Sequence, residues 1–287
     1  MVLTSVIFGL ISAIALGTAD VAAAAVVRRL GVLRTTFLSH FCSIAIITTY
    51  LFVAWDLGVI SLTQWAQLAG LSVLGATVTV AFYRALQLGP VAVVSPVTSA
   101  YAVVVVLLAV AFVGERLSAG QTVAVAATIG GVALASINIG DMRSGRGIGP
   151  GVLIALVITV GIGVWIYSIG VLAKEIGWFL PIYVSRLFTL AMLGPASAIR
   201  RDWPWQRLTV PLALGVVVVG VLETGSLLAF ARGAEIGVIS IVAAASTTYP
   251  IVPILGGLVV FRERLGATQF VGLAIVVAGL VMLGLNS

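Results

Sequence analysis

Ten apolar stretches, each broken only by an occasional polar side chain, follow one another along the 287-residue chain. They fall at about 3–27, 35–55, 63–88, 90–113, 119–139, 149–173, 179–199, 208–232, 237–261 and 266–285. Each is close to the roughly 20 residues a helix needs to cross the hydrocarbon of a bilayer. None alternates polar and apolar positions with a period of two, so a membrane β-barrel is excluded. The longest polar connector, at 138–147, sits at the centre of the chain and leaves no room for a soluble domain. The pattern predicts an all-α integral membrane protein with ten transmembrane helices, called spans 1–10 below.

Composition agrees. The chain is 61% hydrophobic and 8% charged, whereas a soluble domain carries roughly a quarter charged residues. The net charge of +6 invites a nucleic-acid reading, but the arginines stand singly or in small groups between apolar runs, as in membrane connectors. No nucleic-acid partner is expected. Residues 2–27 have the hydrophobicity of a signal sequence; no basic residue precedes them, three arginines follow, and the run is long for a cleavable segment. It is expected to be span 1. Cys42 and His40 are each the one residue of their kind, so disulfides, thiol metal clusters and histidine metal sites are not expected.

The chain also repeats itself. Glu-Arg-Leu occurs at 115–117 and at 263–265, and residues 81–121 lie on 229–269 at a constant shift of 148 without a gap, with 13 of 41 positions identical. A shift of 146 lays spans 1–2 on spans 6–7, placing Gly17 on Gly163, Gly31 on Gly177 and Ser39 on Ser185. Two units follow, 1–139 and 149–287, joined by a central connector at 140–148. Five spans per unit is an odd number, so the second unit must cross the membrane in the opposite sense. Inverted repeats of this kind build many secondary transporters, with the substrate site near mid-membrane between the halves.

The paired segments AFYRALQLGPVAVVSPVTSAYAVVVVLLAVAFVGERLSAGQ and AFARGAEIGVISIVAAASTTYPIVPILGGLVVFRERLGATQ resemble the doubled signature of EamA-type proteins in the drug/metabolite transporter superfamily. Within it the chain looks most like the YddG-type aromatic amino acid exporters. The resemblance covers nearly the whole chain. It implies a multi-pass exporter of the bacterial inner membrane, with a central cavity between two five-helix halves.

Candidate site residues are the polar groups that the apolar runs tolerate. Burying a charge in a transmembrane helix costs at least about 3 kcal/mol, and Asp20, His40, Arg186 and Glu223 are placed where that cost applies. His40 and Arg186 align with one another and lie within two turns of a helix start, so they are expected to reach the interface. Asp20 lies two turns from Arg28 and is open to either reading. Glu223 is mid-helix and aligns with Gly75, so the repeat scaffold does not require it; it is the expected functional carboxylate. Proton coupling is assigned to Glu223 or Asp20. Five tryptophans fall near span ends, where indole favours the headgroup zone; Trp165 alone is deep, either packing on small neighbours or walling a cavity. Spans 4 and 9 carry Thr98, Ser99 and Tyr101, matched by Ser246, Thr247 and Tyr249. Pro96, Pro250 and Pro253 leave backbone carbonyls unpaired beside them. The expected site is a mid-membrane cavity lined by spans 1, 3, 4, 6, 8 and 9. Substrate-binding roles in it are assigned to Trp165, Tyr101, Thr98, Ser99, Ser246, Thr247, Tyr249 and Glu223. The two Glu-Arg-Leu copies are expected to be solvated turns with Glu near the positive start of the following helix; the alternative is a gate. Arg84 and Arg232 are expected to snorkel to the interface.

Connectors after odd-numbered spans hold eleven Lys and Arg, those after even-numbered spans three. The positive-inside rule puts the odd connectors in the cytoplasm and both termini in the periplasm. The leading function is export of small metabolites, above all aromatic or other hydrophobic amino acids; the alternative is a multidrug or organic-cation exporter using an intramembrane carboxylate. An enzyme would need a catalytic cluster, and the scattered carboxylates with one His and one Cys do not supply it. No cofactor or metal is expected. The expected partners are an amino-acid-like small molecule and the bilayer, with the chain a monomer.

Overall fold

The computed structural model describes residues 2–53, 61–113, 117–137, 148–177, 179–199, 208–236, 242 and 245–285. Its helices are α1 (Val2–Leu30), α2 (Val32–Val53), α3 (Leu62–Leu88), α4 (Val91–Ser99), α5 (Tyr101–Val113), α6 (Ala119–Ala135), α7 (Pro150–Ile176), α8 (Phe179–Ile199), α9 (Val210–Ile236), α10 (Ile251–Val259) and α11 (Ala267–Leu285). Spans 1–3 are α1–α3, span 4 is α4 and α5 together, spans 5–8 are α6–α9, and span 10 is α11. Span 9 is described from Ala245 onward apart from Val242, with α10 as its second half. Seven spans among the described residues are long and apolar enough to cross a bilayer, α4 with α5 counting as one, and α6 and α8 are shorter apolar helices. Large apolar side chains such as Ile14, Phe112, Val157 and Val259 point outward, as a lipid-facing exterior requires. The central connector at 138–147 lies outside the described residues.

Local chemistry sets the element ends. Ser61 and Ser118 each accept the N–H of the residue three further on, Gln64 and Gln121, whose side chains return the bond to the cap N–H. These two capping boxes start α3 and α6. Gly31 and Gly177, equivalent under the 146 shift, both have positive φ, +92° and +80°. Each turns the chain between two spans in a conformation that glycine adopts without a Cβ penalty.

Span 4 departs from the expected single helix. Pro96 has no N–H to give, and Ala100 donates back to Val97 at 3.2 Å while the Ser99 hydroxyl takes the Pro96 carbonyl at 2.6 Å. The hydroxyls of Thr98 and Ser99 thus satisfy carbonyls that a continuous helix would have used. Span 9 loosens at the matching place: Thr248, Tyr249, Ile251 and Val252 all donate to the third residue back.

The repeat is visible as reciprocal contact. A Cβ on Gly17 would lie 2.5 Å from Val252 Cβ and 2.9 Å from the Tyr249 carbonyl; on Gly163 it would lie 2.5 Å from Val104 Cβ and 3.1 Å from the Tyr101 carbonyl. These are the same contact under the repeat shifts. Helices α6 and α11 pack on each other most extensively of all pairs. There Gly131 meets Gly272 and Val276, and Gly279 meets Ala124 and Thr128. Numbers rise along one helix as they fall along the other, so the equivalent helices run antiparallel. The twofold axis therefore lies across the helices, in the membrane plane.

Candidate functional site

Where the repeats meet at mid-bundle they enclose a cavity of about 360 Å³, lined from α1, α2, α3, α5, α7, α8 and α9 together with Thr98 and Tyr249. A smaller pocket of about 140 Å³ adjoins it and shares Asp20, Phe82, Trp165 and Glu223. Of the expected site residues, Asp20, Thr98, Tyr101, Trp165, Glu223 and Tyr249 all line the main cavity. Ser99, Ser246 and Thr247 do not. Ser99 is buried with its hydroxyl on the Pro96 carbonyl, and Ser246 and Thr247 are half-buried nearby.

One charged chain crosses the cavity. Arg186 donates from Nη2 to Glu223 Oε1 at 2.6 Å and from Nη1 to His40 Nε2 at 2.6 Å. A guanidinium has donors only, so His40 accepts at Nε2 and carries its proton on Nδ1, which lies 3.5 Å from the Ser39 hydroxyl. This corrects the interfacial placement of His40 and Arg186: they are 1% and 8% exposed and line the cavity. Helices α2 and α8 begin at Val32 and Phe179, which sets the two residues about 10–12 Å along their helices at 1.5 Å per residue. Their equivalence across the repeat carries the signal for this contact, since equivalent side chains beside a twofold axis can meet.

The aromatic wall arises from a departure from symmetry. Gly75 and Glu223 are equivalent, and so are Trp165 and Ala19. In one half the indole lies over the glycine, where an added Cβ would be 2.5 Å from Nε1. In the other half Glu223 shares its pocket with the small Ala19. The scaffold offers two matching niches and fills one with an aromatic ring, the other with a carboxylate. Phe82, Tyr101 and Tyr249 complete the apolar lining, and Tyr249 donates its hydroxyl to the Ser95 carbonyl at 3.3 Å.

Three buried polar atoms of the cavity lining make no hydrogen bond: Asp20 Oδ2, Glu223 Oε2 and Trp165 Nε1; the Ser95 hydroxyl lies beside the Asp20 carboxylate. Asp20 was left open between interface and interior, and it is 7% exposed in the cavity lining. Arg28 turns away from it toward Glu263. Arg84 and Arg232 are exposed, consistent with snorkelling ends.

Residues 3–137 match the EamA-like transporter family. That match spans just under half of the chain and falls within its first repeat. A solved structure 18% identical to the chain aligns over 97% of it and 95% of its own length with a TM-score of 0.62, so the same fold continues through the second repeat. No curated protein sequence matches. The first half of the chain is thus similar to a family of transporters, and the whole chain shares its fold with a solved structure.

Proposed function

We propose that this EamA-like protein exports zwitterionic amino acids with aromatic or other hydrophobic side chains across the bacterial inner membrane by alternating access, with 1–139 and 149–287 as its two moving halves. The observation that carries this reading is the set of unpaired polar atoms lining one cavity. Buried polar groups in folded proteins are nearly always paired, so several orphans facing one space are groups that a bound molecule would pair. Two orphans, on Asp20 and Glu223, are carboxylate oxygens asking for donors. One, on Trp165, is a donor asking for an acceptor. An α-amino acid supplies both: its ammonium offers three N–H groups and its carboxylate accepts from the indole N–H and from the remaining donors of Arg186. The 360 Å³ of the cavity lies within the roughly 300–1,000 Å³ of small-molecule sites. The rings around it provide stacking worth about 0.5–1.5 kcal/mol for an aromatic side chain.

A second reading rests on charge. Asp20 and Glu223 outnumber Arg186 within the cavity, which favours an organic cation or a proton as partner for the surplus carboxylate. The two readings separate in one assay. Proteoliposomes are given labelled tryptophan, phenylalanine, alanine and a quaternary ammonium compound, with and without a pH gradient. Tryptophan and phenylalanine should be carried best, and Glu223→Gln should lower flux or its response to the gradient without loss of folded protein. Transport of the quaternary ammonium compound alone would replace this reading with the cation exporter.

A further inference from the structure

The two ends of the bundle differ. Toward the even connectors a cleft of about 600 Å³ opens between α3, α5 and α7, and Gln67, Leu108, Tyr167 and Leu172 line it. Under the repeat shifts Tyr167 and Leu108 correspond to Val21 and Gly256, and Leu172 and Gln67 to Val26 and Gly215. At the odd-connector end those equivalents are in contact. A Cβ on Gly215 would lie 2.7 Å from Val26 Cγ2, and Gly256 sits directly against Val21. These positions are therefore packed shut at the odd-connector end, while their equivalents line a cleft at the other.

The closed end is fastened by polar contacts between the repeats. Glu263 comes from the turn before α11, yet its carboxylate serves α4: Oε1 accepts from Val91 N and Oε2 from Ala92 N, both at 2.9 Å. Helix α4 needs this acceptor because its N-cap is Pro90, which makes no side-chain cap. Arg28 at the end of α1 joins the same carboxylate at 3.3 Å and donates to the carbonyls of Leu86 at 3.3 Å and Gly89 at 2.9 Å. Its guanidinium stacks 4.5 Å from the centre of the Phe261 ring. The turn that aims Glu263 holds Arg262 at φ +52°, a conformation that side-chain-bearing residues seldom adopt and that marks a constrained position. This differs from the solvated turn expected from the sequence, since the helix start that Glu263 serves belongs to the other repeat.

We propose that Glu263, held between Arg28 and the first two N–H groups of α4, is the clasp that shuts the odd-connector end of the pathway and releases when that end opens. The proposal rests on the chain being a carrier with two alternately open ends and is independent of which substrate it carries. A charge-assisted cap fits the task, because its donors and acceptor regain water when they separate. Separation leaves no buried charge behind.

The test reads accessibility rather than transport. In a Cys42→Ser background, which removes the chain's one cysteine, Ala23→Cys places a thiol in the inner pocket, at a position 1% exposed. A membrane-impermeant maleimide is applied to each side of membrane vesicles in turn, and Arg264→Cys, in the exposed turn, reports which side the odd connectors face. Glu263→Gln keeps the size but turns amide hydrogens toward the N–H groups of α4. It should speed labelling of residue 23 from the odd-connector side about tenfold, the scale of losing one good helix cap, and leave the other side unchanged. Arg28→Gln should act in the same direction. Glu263→Asp, which keeps the charge and shortens the reach, carries the test if the Gln variant does not reach the membrane. Unchanged labelling from the odd side, or an equal rise from both sides, overturns the clasp.

Discussion

Arg186 and His40 occupy equivalent positions in the two repeats and touch, Nη1 to Nε2 at 2.6 Å. Two equivalent points related by a twofold axis can meet only beside that axis. The axis lies in the membrane plane, so this contact marks the depth at which both halves are equidistant from the two faces. A charge placed there is as far from either headgroup region as the bundle allows. Symmetry would give this site two like residues; the sequence supplies a permanent cation and its neutral acceptor, and Glu223 joins from α9 without a counterpart, because its equivalent is Gly75.

That arrangement predicts an asymmetric response to substitution. Arg186→Met strands the Glu223 carboxylate and the His40 acceptor, and breaking a buried ion pair from one side costs about 3–5 kcal/mol. The lower figure is expected here, since the Glu223 side chain is 20% exposed to the cavity. Arg186→Met with Glu223→Gln removes both charges and should recover more than half of the lost stability while leaving transport impaired. Thermal unfolding in detergent decides it. A double variant no more stable than Arg186→Met alone would show that the pair is not coupled.

The Trp165 niche gives a specificity prediction. Trp165→Ala removes the ring that would stack on an aromatic cargo, so transport of tryptophan should fall more than transport of alanine. Gly75→Ala should do the same by another route: the new methyl meets Nε1 at 2.5 Å, and the indole must shift. Overpacking of this kind costs about 1–3 kcal/mol, so the variant should still fold. Equal loss for large and small substrates in both variants would count against a stacking role.

The fold was legible because it depends on features that a sequence displays directly: run length, charge placement and a constant repeat shift. The equivalence of Gly31 with Gly177 foretold a shared turn, and both carry positive φ. The site was only partly legible. Trp165, Glu223 and Tyr101 stand out against their runs, and the structure brings all three to one cavity. For His40 the apolar run understates depth because Arg34 cuts the run short of the helix start at Val32. For Arg186 the run and the helix start together at Phe179, and two turns from that start is already too deep to reach the interface. Glu263 read as a surface turn because its partners, Val91 and Ala92, are more than 170 residues away in sequence. No local pattern records a cap supplied by the other repeat.

Orientation follows from the connectors. With eleven basic residues on odd connectors against three on even ones, the end closed by Glu263 is expected to face the cytoplasm and the open cleft the periplasm. A C-terminal alkaline phosphatase fusion should then be active and a C-terminal fluorescent reporter, which matures only in the cytoplasm, dark. The reverse pair of results would put the clasp on the outside.

The repeat carries the last prediction to the opposite face. Glu115 is the equivalent of Glu263 under the 148 shift, and Lys174 is the equivalent of Arg28 under the 146 shift. Glu115 and the side chain of Lys174 lie outside what the structure describes, so the expectation comes from sequence and symmetry alone. A carrier made of inverted halves exchanges the roles of those halves when it turns over. If Glu263 holds the odd-connector end shut, a matching acid and base on the even side should hold that end shut in the other state. Glu115→Gln should then weaken the other closed state and bias the carrier toward the form described here. Labelling of Ala23→Cys from the odd-connector side should slow in this variant, opposite to the effect of Glu263→Gln. Combining the two substitutions should return labelling toward the starting rate, because each removes a fastening from a different end. Two variants that shift labelling in the same direction would show that the doubled Glu-Arg-Leu is only a shared way of turning the chain.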